Sequence, residues 1–364
     1  MTGGRAVTGG RARARELGIV AGSLPPGPGN AITDVPGVLV GHTTLVSGSD
    51  IRTGVTAIVP QVLRGAQRLP AGLAVGNGFG KMVGTTQLIE LGVIETPIVL
   101  TSTLATFRAA DALLTYLHAL PGNDLLGTVN PVVAETNDQY LSDIWQRPVT
   151  EQHVLGALLG ASAGPVGEGA VGAGTGTSAL GYKAGIGTAS RKLTCAGQPV
   201  TIGALVQANF GGTLSVRGVP LPAGPTLRAA GVEQAAGQDQ HAGAERGDSG
   251  NSCVIVLATD APLDARQLGR LARRAIFGMA RTGSAYENGS GDYALAFATG
   301  PVTVAGQASH VRATVADAEL DGMFAAAMDC TEEAILNSLC MAQTTTGFRG
   351  HVRHAVPLDA LRQC

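Results

Sequence analysis

A layered α/β or α+β architecture is what this sequence predicts, on three observations. Short β-type apolar runs alternate with helical runs along the whole chain. Hydrophobic residues make up 45% of the 364 but aromatics only 4%, so Ala, Val and Leu must fill a core that this length is ample to enclose. Fifty-three glycines point to tight turns, closely packed layers and backbone brought near a ligand.

In chain order, strands are expected at Val38–Gly41, Ala57–Val59, Ile98–Leu100 and Val132–Ala134, each a short apolar run. Longer runs predict strands over Val200–Ala208, Val254–Thr259 and Ala294–Ala298. Helices are expected at Thr85–Leu91, Leu104–Leu120, Glu151–Leu159, Ala265–Arg281 and Glu332–Ala342. The fourth is the best defined. Leu268, Leu271, Ala272, Ala275, Ile276 and Met279 follow a 3.6-residue period, Arg266, Arg270, Arg273 and Arg274 fall mostly off that face, and Asp264 is placed to cap it.

Residues 1–16 read as a disordered basic tail, because Thr2-Gly3-Gly4-Arg5-Ala6 recurs as Thr8-Gly9-Gly10-Arg11-Ala12 and no apolar stretch follows that would make a secretory signal. The remainder, residues 17–364, is long enough for two domains or one large layered α/β domain. Within it, Gln234 to Asn251 holds no Val, Ile, Leu, Met or aromatic residue, which is the composition of a flexible linker. A net charge of −2 gives no electrostatic ground for a nucleic-acid partner, and no apolar run is long enough to predict a membrane-spanning helix. Five scattered cysteines without a C-x-x-C pair read as reduced packing residues of a cytoplasmic protein, not a disulfide framework or zinc site.

Other motifs carry little chemistry. The Gly164–Gly187 region offers Gly174, Gly176 and Ala179 in a dinucleotide-like frame but no acidic residue at the required distance, so close backbone packing is the better reading. His351 and His354 lack a third ligand at metal-site spacing. No G-x-S-x-G elbow is present. No cofactor or metal is expected.

The chemistry gathers instead where the polar linker stops. Ser252 opens the apolar run that continues as Cys253-Val254-Ile255-Val256. A hydroxyl there can attack the carbonyl of Asn251, and hydrolysis of the resulting ester would leave Ser252 with a free α-amine. Such an amine has a pKa of about 7.7–8.0 and can serve as general base for its own hydroxyl. Ser249 offers a second hydroxyl three residues earlier, but the apolar strand begins only after Ser252. Ser290 and Asp292, in Asn288-Gly289-Ser290-Gly291-Asp292, precede another strand and could orient this nucleophile. Asn209 closes the run Ile202–Ala208 and could donate to an oxyanion. Glu135, with Asn137 close by, could bind a substrate ammonium.

These segments, taken in order from Pro28–Val38 through Ala134–Asp138, Gly172–Gly176, Gly185–Arg191, Val206–Gly211, Ser252–Pro262 and Asn288–Asp292, resemble the self-processing N-terminal-serine aminopeptidases. That family includes the L-aminopeptidase/D-amidase-esterases and the β-peptidyl aminopeptidases. The resemblance implies one catalytic domain over residues 17–364, a four-layer αββα sandwich similar in layout to N-terminal nucleophile hydrolases but with different strand connections. It implies cleavage between Asn251 and Ser252 into chains 1–251 and 252–364. Ser252 then falls on the nucleophile, Ser290 and Asp292 on its orienting pair, Asn209 on the oxyanion amide, and Glu135 with Asn137 on the substrate-binding residues. Short peptides, amides or esters with a free N-terminus are the implied substrates, and a homotetramer the implied assembly. Asp292 is shorter than the glutamate of some β-peptide-cleaving members. Two other readings stay open: an acyltransferase on a related self-cleaving fold, and a non-catalytic small-molecule binder built on Gly164–Gly187.

Overall fold

The structure, a computed structural model, describes residues 10–123, 127–232, 252–300, 303–304 and 314–364. Its first half holds β1 (Val38–Ser47), β2 (Ile51–Pro60), β3 (Gln67–Gly78), β4 (Met82–Val83), α1 (Thr85–Leu91), β5 (Val93–Ile94), β6 (Ile98–Ser102), α2 (Thr106–His118), β7 (Val132–Thr136) and α3 (Glu151–Leu159). There follow β8 (Ser178–Ala179), β9 (Tyr182–Lys183), β10 (Ile186–Cys195), β11 (Gln198–Asn209), β12 (Leu214–Val216), β13 (Val219–Leu221) and α4 (Ala223–Ala229). The last part holds β14 (Ser252–Thr259), α5 (Ala265–Arg281), β15 (Gly291–Ala298), β16 (Thr303–Val304) and α6 (Asp321–Cys340).

One sheet runs β1-β2-β6-β7-β4, and a second runs β10-β11-β14-β15-β3-β16 with β5 on β3. Each contains one parallel pair, β6–β7 and β14–β15, bridged in sequence by a helix, α2 and α5. Parallel neighbours require such a crossover.

Strand alternation sorts the side chains into three apolar layers. Val254, Val256 and Ala258 of β14, and Leu295 and Phe297 of β15, meet Ile58, Ile98, Leu100, Val132 and Ala134 of the other sheet. The intervening Cys253, Ile255 and Leu257, with Ala294 and Ala296, face the periodic residues of α5 and the buried side of α6. Val55, Ala57, Val99 and Val133 turn outward onto α2 and α3. Helix, sheet, sheet and helix therefore stack as an αββα sandwich. Mostly small aliphatic side chains, Ala and Val above all, bring these layers close. A Cβ at Gly187 would lie 1.9 Å from the carbonyl oxygen of Ala334 in α6, so only glycine fits there.

Helices α1, α3 and α5 run over the expected residues, and Asp264 caps α5 by accepting a hydrogen bond from the Gln267 amide at 2.7 Å. Other expectations need correction. Helix α6 starts at Asp321, eleven residues before the expected Glu332, because its first turns are buried on most sides and show no polar stripe. Strand β3 was not foreseen, since Pro70, Gly72 and Gly76 break its pattern. Neither was β10, which carries the buried Arg191.

The expected basic tail ends too late. Residues 1–9 lie outside the described residues, but residues 11–17 pack onto the core. Arg11 donates to the carbonyls of Leu339 and Cys340 at the end of α6, and the Ala14 amide donates to Asn337 Oδ1. Guanidinium groups are well suited to the unpaired carbonyls of a helix C-terminus, which is why this arginine-rich stretch is structural.

Candidate active site

Ser252 opens β14, and backbone register sets it between Asn209 of β11 and Gly291 of β15, with Gly78 of β3 next in the row. Neighbouring strands lie about 4.8 Å apart, so four expected positions converge at one end of the sheet. Gly291 is required: a Cβ there would come within 2.7 Å of the Phe79 carbonyl oxygen. By alternation, Ser252 shares the face of Val254 and Val256, and Asn209 that of Gln207, whose Nε2 donates across the sandwich to Thr136 Oγ1 at 2.8 Å. Ser252 is buried.

The Asn209 amide has a defined orientation. Its Oδ1 accepts from the Ser178 amide at 3.1 Å while its Nδ2 donates to the Asn137 carbonyl at 2.9 Å. One Nδ2 hydrogen is thus left unused. Asn137 contributes that carbonyl, and its own Oδ1 accepts from the Gln139 amide at 3.1 Å.

On the other side of Ser252, the Ser290 hydroxyl donates to Asp292 Oδ1 at 2.7 Å. Asp292 lies inside β15, not in the turn before it, and pairs with Cys253. Burial pushes its carboxyl up to about 6, opposed by the Ser290 hydroxyl and the Cys253 amide. Its Oδ2 has no hydrogen-bond donor among the described residues.

Glu135 lies within β7 and is 2% exposed. The segment joining β3 to β4 links it to the row above: the Phe79 amide donates to the Ser290 carbonyl at 3.0 Å, and the Lys81 amide to Glu135 Oε1 at 2.9 Å. Between them, a Cβ at Gly80 would touch both Glu135 Oε1 and the Tyr293 ring. Lys81 Nζ donates to Thr103 Oγ1 at 2.7 Å and stands 3.8 Å from Glu135 Oε1. Burial raises the Glu135 carboxyl despite this lysine, and Oε2 has no donor among the described residues.

A third acid lies behind. Asp138 accepts from the Ser102 hydroxyl at 2.7 Å, and burial raises its carboxyl to about 6. It acts on the buried Lys183, whose ammonium donates to the Gly174 carbonyl at 3.1 Å and which burial brings down to about 7. Lys183 pairs with Ser178, the residue that orients Asn209.

Asn251, Ser249 and the linker from Gln234 lie outside the described residues, apart from Ser252 itself. His351 stacks on Tyr140 at 4.5 Å, away from any metal-like cluster among the described residues. Lys81, Ser178, Tyr293 and Lys183 were missed from the sequence. One signal was available: the chain has three lysines among 25 basic residues, and two of them sit here. Lysine supplies a compact charge on a flexible stem, which arginine does not.

Residues 30–353 match peptidase family S58. The β-peptidyl aminopeptidase BapA of Sphingosinicella microcystinivorans is 40% identical over 365 residues, covering 96% of this chain and 91% of that protein. The PH0078 protein of Pyrococcus horikoshii superposes with a TM-score of 0.86 at 42% identity, covering 97% of this chain and 98% of that one. The L-aminopeptidase D-Ala-esterase/amidase of Ochrobactrum anthropi, described as a prototype for the serine aminopeptidases and a variant of the Ntn hydrolase fold, superposes with a TM-score of 0.86. It is 36% identical, with 96% and 97% of the two chains covered. On these grounds the chain is a serine aminopeptidase and belongs to peptidase family S58.

Proposed function

We propose that the Asn251–Ser252 bond is cut by Ser252 itself, and that the resulting chain 252–364 carries the nucleophile at its N-terminus. The row Asn209, Ser252, Gly291 is the observation that carries this reading. A serine at the very start of a buried strand has an amide donor on one flank and a hydroxyl–carboxylate pair on the other.

The mature enzyme removes N-terminal residues from short peptides, amides or esters. The α-amine of Ser252 takes the proton from its own Oγ as that oxygen attacks the substrate carbonyl. The free Nδ2 hydrogen of Asn209 stabilises the oxyanion, because its amide cannot turn without losing both fixed bonds. The ammonium formed on Ser252 is held by Ser290 and Asp292, then protonates the departing amine. Water hydrolyses the acyl-enzyme with the same amine as base. Glu135 selects a free substrate amine through its unpaired Oε2, and Asn137 shapes that end of the site. β-Linked N-terminal residues are the leading substrate class, supported by the BapA relative.

The assembly is a homotetramer of processed units in the cytoplasm. Exposed Phe79, Phe107, Trp145 and Leu159 support self-association, and five free cysteines support a reducing compartment.

Denaturing mass spectrometry tests the core of this reading. Wild type is expected as two species, residues 1–251 and 252–364, and Ser252→Ala as one intact chain with turnover reduced ~10⁴-fold or more. Two species in the alanine variant, or a stable intact wild type that is active, would overturn it.

A further inference from the structure

The surroundings of Glu135 hold more than amine binding needs. An acid alone suffices to receive a substrate ammonium, yet Lys81 stands beside the same carboxylate, with Thr103 behind it. Acid and base together leave this region close to neutral, which weakens its attraction for a bare cation. Both partners also keep unused capacity. Glu135 Oε2 has no donor among the described residues, and of the three hydrogens on Lys81 Nζ one is taken by Thr103. The lysine side chain is 42% exposed, so a ligand can reach it.

A buried, unpaired carboxylate oxygen next to an ammonium with unused hydrogens is the complement of an amino-acid head group, in which one carbon bears both NH₃⁺ and COO⁻. An ordinary N-terminal residue has no such head, because its α-carboxyl is in the peptide bond. A residue joined through its side-chain carboxyl keeps it. Among β-linked residues this is isoaspartate, which is β-alanine with a carboxylate on the amine-bearing carbon.

We propose that peptides with an N-terminal isoaspartyl residue are substrates, the α-ammonium held by Glu135 and the α-carboxylate by Lys81. The inference rests on the reading of Ser252 and Glu135 given above and names the substrate class of that site. The reaction adds nothing to that mechanism. Ser252 Oγ bonds to the β-carbonyl carbon, the C–N bond to the next residue breaks as its nitrogen takes the proton, and water releases free aspartate and restores the hydroxyl.

The test compares kcat/KM of the mature enzyme for isoaspartyl-leucine and β-alanyl-leucine. Wild type is expected to cleave both, and isoaspartyl-leucine at least as well. Lys81→Met is expected to lower the isoaspartyl to β-alanyl ratio about tenfold or more, since one charged hydrogen bond is lost, and Lys81→Arg to recover part of it. The β-alanyl substrate monitors folding and the nucleophile, because it lacks the carboxylate that Lys81 would hold. Cleavage of β-alanyl-leucine without isoaspartyl-leucine overturns the inference alone, as does a ratio that Lys81→Met leaves unchanged. A wild type that cleaves neither removes the inference together with the function proposed for the site.

Discussion

Two buried polar networks in this molecule are built on opposite terms. Beneath α6, every carboxylate oxygen is met. Glu333 Oε1 accepts from Arg15 at 2.8 Å and Asn30 at 2.6 Å, and Oε2 from Arg191 at 2.6 Å. Glu168 accepts from the Thr188 amide at 2.9 Å and pairs with Arg13 at 2.7 Å. At the other end of the sandwich, Glu135, Asp138 and Asp292 each keep one oxygen without a donor among the described residues. An unmet buried carboxylate is costly, and it persists where a ligand or a moving proton completes it. The first network ties the N-terminal arm to the fold through its carboxylates; the carboxylates of the second keep unmet capacity.

Removing one member of the closed network is expected to have the largest effect on stability. Glu333→Ala strands Arg191, which has no exposure at all, and releases Arg15 of the arm. Loss of one partner from a buried pair costs about 3–5 kcal/mol. The midpoint of chemical denaturation should fall accordingly, while turnover per folded molecule stays at the wild-type value. An unchanged midpoint, or a loss of kcat in molecules that remain folded, would erase the contrast.

The open network should answer in the reverse sense. Asn209→Ala removes the oriented donor and is expected to lower kcat by about 10²–10³-fold with KM little changed. It also abandons the Ser178 amide, so stability should fall by about 1 kcal/mol, less than for Glu333→Ala. If KM rises instead and kcat holds, the amide binds substrate and does not meet the transition state.

The sequence carried these two regions unequally. Ser252 was legible because a stretch without large apolar residues meets an apolar strand at that residue, and Asn209 because a strand ends there. Helix α5 was legible from its stripe and from Asp264. What escaped depends on contacts between distant segments. Arg13 and Arg15 look like a charged tail until Glu168 and Glu333, more than 150 residues away, are brought against them. Lys81 follows a Gly-Phe-Gly turn that local pattern marks only as a loop, and its meaning comes from β4 pairing with β7, which sets it beside Glu135. Asp292 was read as a turn residue, because Gly289 and Gly291 flank it closely, although Gly291 already belongs to β15.

A further expected effect concerns how pH acts on the second network. Burial raises the Asp292 carboxyl from 3.8 to about 6, so the folded protein takes up this proton more readily than the unfolded chain. The stability it contributes is therefore complete below about pH 4 and is lost as pH rises through about 6. Above that, the ionised group opposes folding. Asp292→Asn does not titrate and still offers Ser290 an acceptor, so it should be more stable than wild type by about 1–3 kcal/mol at pH 7.5, with the difference vanishing near pH 4. Activity should be lost in the same variant, because the amide cannot hold the Ser252 ammonium. The wild-type kcat/KM should fall below about pH 6 as Asp292 takes its proton. Denaturation midpoints of the two proteins from pH 4 to 8 would check this. An asparagine variant that is less stable at pH 7.5 would mean that Asp292 holds the fold as Glu333 does, and the distinction between a closed and an open network would fail at this residue.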